Sequence, residues 1–149
     1  MASAQVSDTS GTATVDVQPA LSLTLVASPS WGKVTVPPSG TARYTLNYST
    51  GAVTLTSGNG YAFDNGQFGQ YTVSGAAAAA ISYSASIGAF DGLGITVVAT
   101  HINGTSGSGT GSLDGSGGMT LKVGGIIDVA STADVQLQSA TVTVTVDYQ

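Results

Sequence analysis

The chain has 149 residues, enough for one domain with a real core, and only 7% of them are charged, against about 25% in an ordinary soluble domain. Its cations are Lys33, Arg43 and Lys122, its eight acidic residues are all Asp, and the formal net charge is −5. So sparse a positive charge argues against nucleic acid, which needs clustered Lys and Arg, and against anionic membrane surfaces. The absence of cysteine excludes a disulfide framework, thiol catalysis and cysteine metal sites.

Glu and Lys suit exposed helix faces, whereas Asp suits turns, so this composition leaves little material for a solvated helix. No apolar run approaches the roughly 20 residues of a membrane-spanning helix, and no membrane insertion is expected. At the start, Ala2-Ser3-Ala4 has the small-x-small shape of a signal-peptidase site, with Gln5 as a mature N-terminus, although the charged and hydrophobic parts of a signal are missing. A vector-derived leader is the alternative source of these residues.

In chain order, Ala13, Val15 and Val17 share one phase of a strand over residues 11–18, after a polar lead, Ser7-Asp8-Thr9-Ser10. Pro19, which cannot donate to a ladder, cuts this strand from the next, where Leu21, Leu23 and Leu25 resume the alternation. Further strands are expected at 33–36, 42–48, 52–56, 69–74, 79–87, 94–102, 119–123, 126–129 and 139–148. The five alanines of 76–80 have no cap or amphipathic pattern and read as a connector or strand entry. Residues 103–118, built from Gly, Ser and Thr, read as a long exposed loop. Period-two strands with turn residues about every ten positions predict an all-β sandwich or barrel.

The final strand is the clearest, with Val142, Val144, Val146 and Tyr148 on one face and Thr143, Thr145 and Asp147 on the other. A sandwich that ends on such a strand is expected to lack the neighbour covering one side, leaving backbone groups and an apolar face open. The N-terminal strand supplies a partner. It either folds back to complete its own domain or adds to the open groove of another copy.

The alternating strand, Pro19 and Leu-rich strand of residues 12–26, with the penultimate Tyr148, resemble the two ends of cysteine-free chaperone–usher pilins. The whole chain also resembles a secreted Gram-negative family known only as a domain of unknown function. That resemblance is carried by the Pro-anchored first strand, Trp31-Gly32, Tyr71-Thr72-Val73-Ser74-Gly75 and the closing Thr-Val-Thr-Val-x-Tyr. It implies an incomplete immunoglobulin-like Greek-key β-sandwich, exported to the surface, and implies no enzymatic activity or cofactor. On it, residues 1–18 are an extension carrying the donor strand (Ala13, Val15, Val17), and 19–149 are the domain. Val142, Val144, Val146 and Tyr148 then flank the acceptor groove. The expected product is a fibre or pilus of identical copies serving adhesion or biofilm formation, with a periplasmic chaperone and an outer-membrane usher as partners. The alternative is a monomeric secreted glycan-binding or adhesin module.

Chemistry-bearing residues are few. His101, the single histidine, shares phase with Ile95, Val97 and Ala99 and reads as an inward structural residue with no acidic or nucleophilic neighbour pattern. No Gly-x-Ser-x-Gly motif is present, and without Glu a carboxylate pair would need two Asp that nothing singles out. Asp64, Asn65, Asp91 and Asp114 sit in turn sequences, too isolated for the close oxygen array of a calcium site. Asn103-Gly104-Thr105 matches a glycosylation acceptor. Trp31, Tyr61, Phe63 and Phe68 either plug the ends of the sandwich or offer a sugar-stacking surface.

Overall fold

Alternation of apolar and hydroxyl side chains produces strands over most of the chain, and the computed structural model, which describes residues 10–149, contains ten strands and no helix among them. They are β1 (Ser22–Ala27), β2 (Thr41–Leu46), β3 (Val53–Ser57), β4 (Gly69–Ser74) and β5 (Ala80–Ile87), followed by β6 (Ile95–Ile102), β7 (Thr105–Ser106), β8 (Ser108–Ser112), β9 (Gly118–Ala130) and β10 (Val142–Tyr148). The processing-site residues 2–5 and the polar lead up to Thr9 lie outside the described residues.

Every ladder is antiparallel, and the strands form two sheets of a sandwich. The larger sheet runs β1-β4-β9-β2-β3 with β6 and β7 attached; the smaller is β10-β5-β8. β9 is its spine. One flank of β9 carries β4 opposite Gly118–Val123 and β2 opposite residues 125–130 in tandem, while the other carries β6.

Two expected strands, 119–123 and 126–129, are therefore one. Gly124 and Gly125 do not break it but let other backbones approach, since a Cβ on Gly124 would lie 2.7 Å from the Tyr48 nitrogen and one on Gly125 2.5 Å from the Ala99 carbonyl oxygen. The expected loop over 103–118 is also corrected. Asn103 and Gly104, both at positive φ, make the two-residue turn of the β6–β7 hairpin, and β8 follows. Its glycines face larger side chains: a Cβ on Gly109 would lie 2.7 Å from the Tyr83 ring. A strand can thus be rich in Gly when an aromatic ring occupies the space above it.

The first core lies between the sheets. Tyr71 and Val73 of β4, Leu121 and Val123 of β9 and Ile102 of β6 face Ile81, Tyr83 and Ala85 of β5. Each fully buried aliphatic side chain contributes about 1.5–3 kcal/mol relative to exposure. The second core, around Ala42, Tyr44, Leu46, Ile127 and Val129, is covered by irregular segments instead of a strand. There the expected strand at 33–36 shrinks to a single bridge, Val34 to Ala62, because Gly32 turns the chain at positive φ and Pro37-Pro38 supply no backbone donors. Buried Tyr44 is satisfied in this cover, donating to the Thr35 carbonyl at 2.9 Å and accepting from the Tyr61 N–H at 3.2 Å.

Candidate assembly groove

β1 and β10 both belong to sheet edges, and among the described residues no ladder joins them. β1 pairs with β4 so that Leu23 stands opposite Val73 and Leu25 opposite Tyr71. Residues directly opposite in an antiparallel pair share a face, so these leucines point the same way as buried Val73 and Tyr71. They nevertheless remain 38% and 54% exposed. The inward face of β1 has too little above it.

β10 repeats the pattern from the other sheet. Val144, Val146 and Tyr148 stand opposite Ala85, Tyr83 and Ile81, all three buried, while Val142, Val144 and Val146 themselves are only half-buried. The four residues expected to flank a groove thus lie on one strand. The fifth and sixth, Leu23 and Leu25, belong to a strand expected from sequence but not assigned to the site. The signal that could have found them is that they continue the inward phase of Leu21, which packs on the first core.

Tyr148 lies at one end of the sandwich, here called the foot. Its hydroxyl donates to the Pro19 carbonyl at 2.7 Å and accepts from the Ala76 N–H at 2.8 Å. Glycine at position 75 leaves room for this approach, since a Cβ there would lie 2.5 Å from the Tyr148 hydroxyl oxygen and 2.9 Å from Leu21 and would push their side-chain ends aside. The start of β1 and the end of β10 are therefore tied together, and the N-terminal segment leaves the domain from that point.

Residues 10–20 form no ladder and are exposed throughout, with Val15 and Val17 at 84% and 82%. The strand expected at 11–18 is thus an unpaired segment in the described part of the single chain, and Ala13, Val15 and Val17 pack against no core. A hollow beside β5 and β6 differs, because Ile87, Ile95 and Val97 that line it already pack on the second core.

Of the candidate ligand aromatics, Tyr61 and Phe63 come together as an exposed edge-to-face pair with centroids 5.1 Å apart. Trp31 does not join them. It is buried against Phe90, 6.3 Å away, as the cover of the second core requires a large ring there. Phe68 instead receives the Lys122 ammonium over its face at 5.0 Å.

His101 corrects the inward expectation. A bulge between Val97 and Ala99 shifts the phase of β6, so Ile102 opposite Val123 turns inward and His101 opposite Gly124 takes the other face. Asp114 builds a turn, accepting from the Gly118 N–H at 2.8 Å and from the Ser116 N–H and hydroxyl at 2.9 Å. These bonds hold its carboxyl below the usual range. Asn103 is likewise held by β9, accepting from the Lys122 N–H at 2.8 Å. No cluster of three or more His, Asp, Glu or Cys side chains that could hold a metal ion occurs among the described residues, and no helix is long and apolar enough to cross a membrane.

These features define an all-β, two-sheet antiparallel sandwich with two unjoined edge strands whose inward apolar side chains are incompletely covered. The chain belongs to the DUF4402 family, a domain of unknown function, whose profile matches residues 14–148. That span begins inside the unpaired N-terminal segment and ends at Tyr148. Comparison with curated proteins and with solved structures finds no match.

Proposed function

We propose that the protein is the structural subunit of an extracellular fibre or pilus, built by adding residues about 5–18 of one copy to the slot between β1 and β10 of the next. The observation that carries this reading is the pairing of two exposed apolar sets in one chain. Leu23 and Leu25 face a core that does not cover them, and Val15 and Val17 form a strand-like pattern with no core of their own. An immunoglobulin-like sandwich completed by a neighbour's strand would satisfy both. The reading makes the chain a building block and not an enzyme.

Dimensions and energetics support it. Eight residues of strand span about 26 Å and the seven of β10 about 23 Å, so residues 11–18 match the slot in length. Burying Ala13, Val15 and Val17 contributes a few kcal/mol at ~25 cal/mol per Å². Ordering the segment costs about 1–2 kcal/mol per residue, which side-chain burial alone does not offset. Hydrogen bonds at about 0.5–1.5 kcal/mol each, made on both flanks, close the gap. The donor must therefore pair with β1 and β10 together. Secretion to a Gram-negative surface, a periplasmic chaperone, an outer-membrane usher and a role in adhesion or biofilm formation belong to this proposal through the resemblance to pilins.

The test is assembly of the full chain followed by light scattering and electron microscopy. The wild type is expected to form filaments, and the Val15→Asp, Val17→Asp double variant to stay monomeric with unchanged thermal stability, because both side chains are free in the monomer. Equal filament formation by the variant would overturn the reading. The exposed Tyr61–Phe63 pair favours a second reading, a monomeric glycan-binding module, which glycan-array binding lost on Tyr61→Ala, without filaments, would support.

A further inference from the structure

At the end of the sandwich opposite the foot, the head, two loops that the groove does not use are laced into one platform. Asp134 accepts from the Leu93 N–H through Oδ2 at 2.9 Å and donates its own N–H to the Leu93 carbonyl at 3.1 Å. Gln138 donates to the carbonyls of Leu93 and Asp134, each at 3.1 Å. Asp91 and Ser139 exchange two further bonds of 2.9 Å. On this rigid base stand Leu93, Val135 and Leu137, exposed by 72%, 89% and 93%. Single exposed aliphatics are ordinary; three on one hydrogen-bonded platform call for a partner.

The foot carries a complementary oddity, the five-alanine run. Ala76 bonds Tyr148, and Ala77, Ala78 and Ala80 are exposed beside it, with Ala78 at positive φ. Alanines give a flat apolar surface whose side chains lose no rotamer freedom on contact.

We infer that Leu93, Val135 and Leu137 form the end contact of the assembly, seated on the Ala77–Ala78 foot of the copy that donates its strand. The inference rests on the proposed strand addition. β1 runs from foot to head and β10 from head to foot, so a donor paired with both is antiparallel to one and parallel to the other. The open-ended fibre proposed above selects the donor antiparallel to β10, which runs foot to head, so its Gln18 emerges at the acceptor's head. From there Pro19, Ala20 and Leu21 reach the fixed part of the donor's own domain within about 10 Å. The same tie, Tyr148 to the Pro19 carbonyl, keeps that short link at the foot. The donor's foot is thereby held against the acceptor's head. A donor in the reverse direction, antiparallel to β1 and parallel to β10, would instead bring two feet together and close a reciprocal pair.

Three full-length chains decide it: wild type, Leu93→Ser/Val135→Ser/Leu137→Ser, and Ala77→Lys. Binding of a labelled peptide of residues 5–18 is measured beside the concentration at which filaments appear. Both variants are expected to bind the peptide as the wild type does, and to need at least about tenfold more protein to assemble, as for loss of a central apolar contact. Normal peptide binding with wild-type assembly in both variants overturns the end contact and leaves strand addition standing. A wild type that neither binds the peptide nor assembles overturns strand addition, and the end contact with it. Wild-type particles that stop at pairs overturn the head-to-foot geometry alone. Agreement between the two variants, altered at opposite ends, guards against a folding defect in either.

Discussion

Tyr148 joins three parts of the molecule through one oxygen. It sits opposite Ile81 in the β10–β5 ladder, donates to Pro19 where the N-terminal segment departs, and receives the Ala76 N–H from the alanine turn. Replacing it with Phe keeps the ring but leaves the Ala76 N–H and the Pro19 carbonyl without this partner. Because the residue is partly exposed, water recovers some of the loss, and the expected cost is about 1 kcal/mol, a fall of about 2–4 °C in Tm. Thermal unfolding of Tyr148→Phe checks it; an unchanged Tm would mean that the hydroxyl bonds contribute nothing net. The alternation of residues 142–148 made the face of Tyr148 legible in the sequence. Its hydroxyl partners were not, since they come from residues 129 and 72 positions away.

At the scale of elements, period-two patterning located most strands, and β4 within its full bounds. Two of the failures have a common cause. Where a neighbouring backbone or ring fills the space of a side chain, the residue becomes Gly and the pattern disappears, as in β8 and at the centre of β9. The β6 bulge similarly moved His101 to the other face, because a single inserted residue inverts all that follows. Half of the slot was legible as the alternating valines of β10. The other half, Leu23 and Leu25, was hidden because an inward leucine looks the same in sequence whether or not something covers it. The role given to Gly124 is open to test. Gly124→Ala forces β2 and the Tyr48 backbone away from β9 and is expected to cost about 3 kcal/mol, read by urea denaturation. A variant as stable as the wild type would show that the crossing can relax freely.

For the whole molecule, the two ends of the chain and the two ends of the sandwich tell one story. The sandwich has a core with one side thinly covered, an unpaired segment leaving its foot, an apolar platform at its head, and a surface almost without charge. In the proposed fibre, apolar burial and backbone pairing would hold the copies together, with little part for charge. The most direct measurement exploits the absence of native cysteine. Val144→Cys is combined in one chain with Ala13→Cys, Val15→Cys or Val17→Cys in turn, oxidised, and resolved on a denaturing gel. A strand added beside β10 brings one of these within the about 3.5–4.5 Å between Cβ atoms that a disulfide needs. The account predicts a covalent ladder of multimers for at least one position, and simple dimers when the two single-cysteine chains are mixed. A disulfide confined to the monomer at every position would contradict it, placing the N-terminal strand in its own domain.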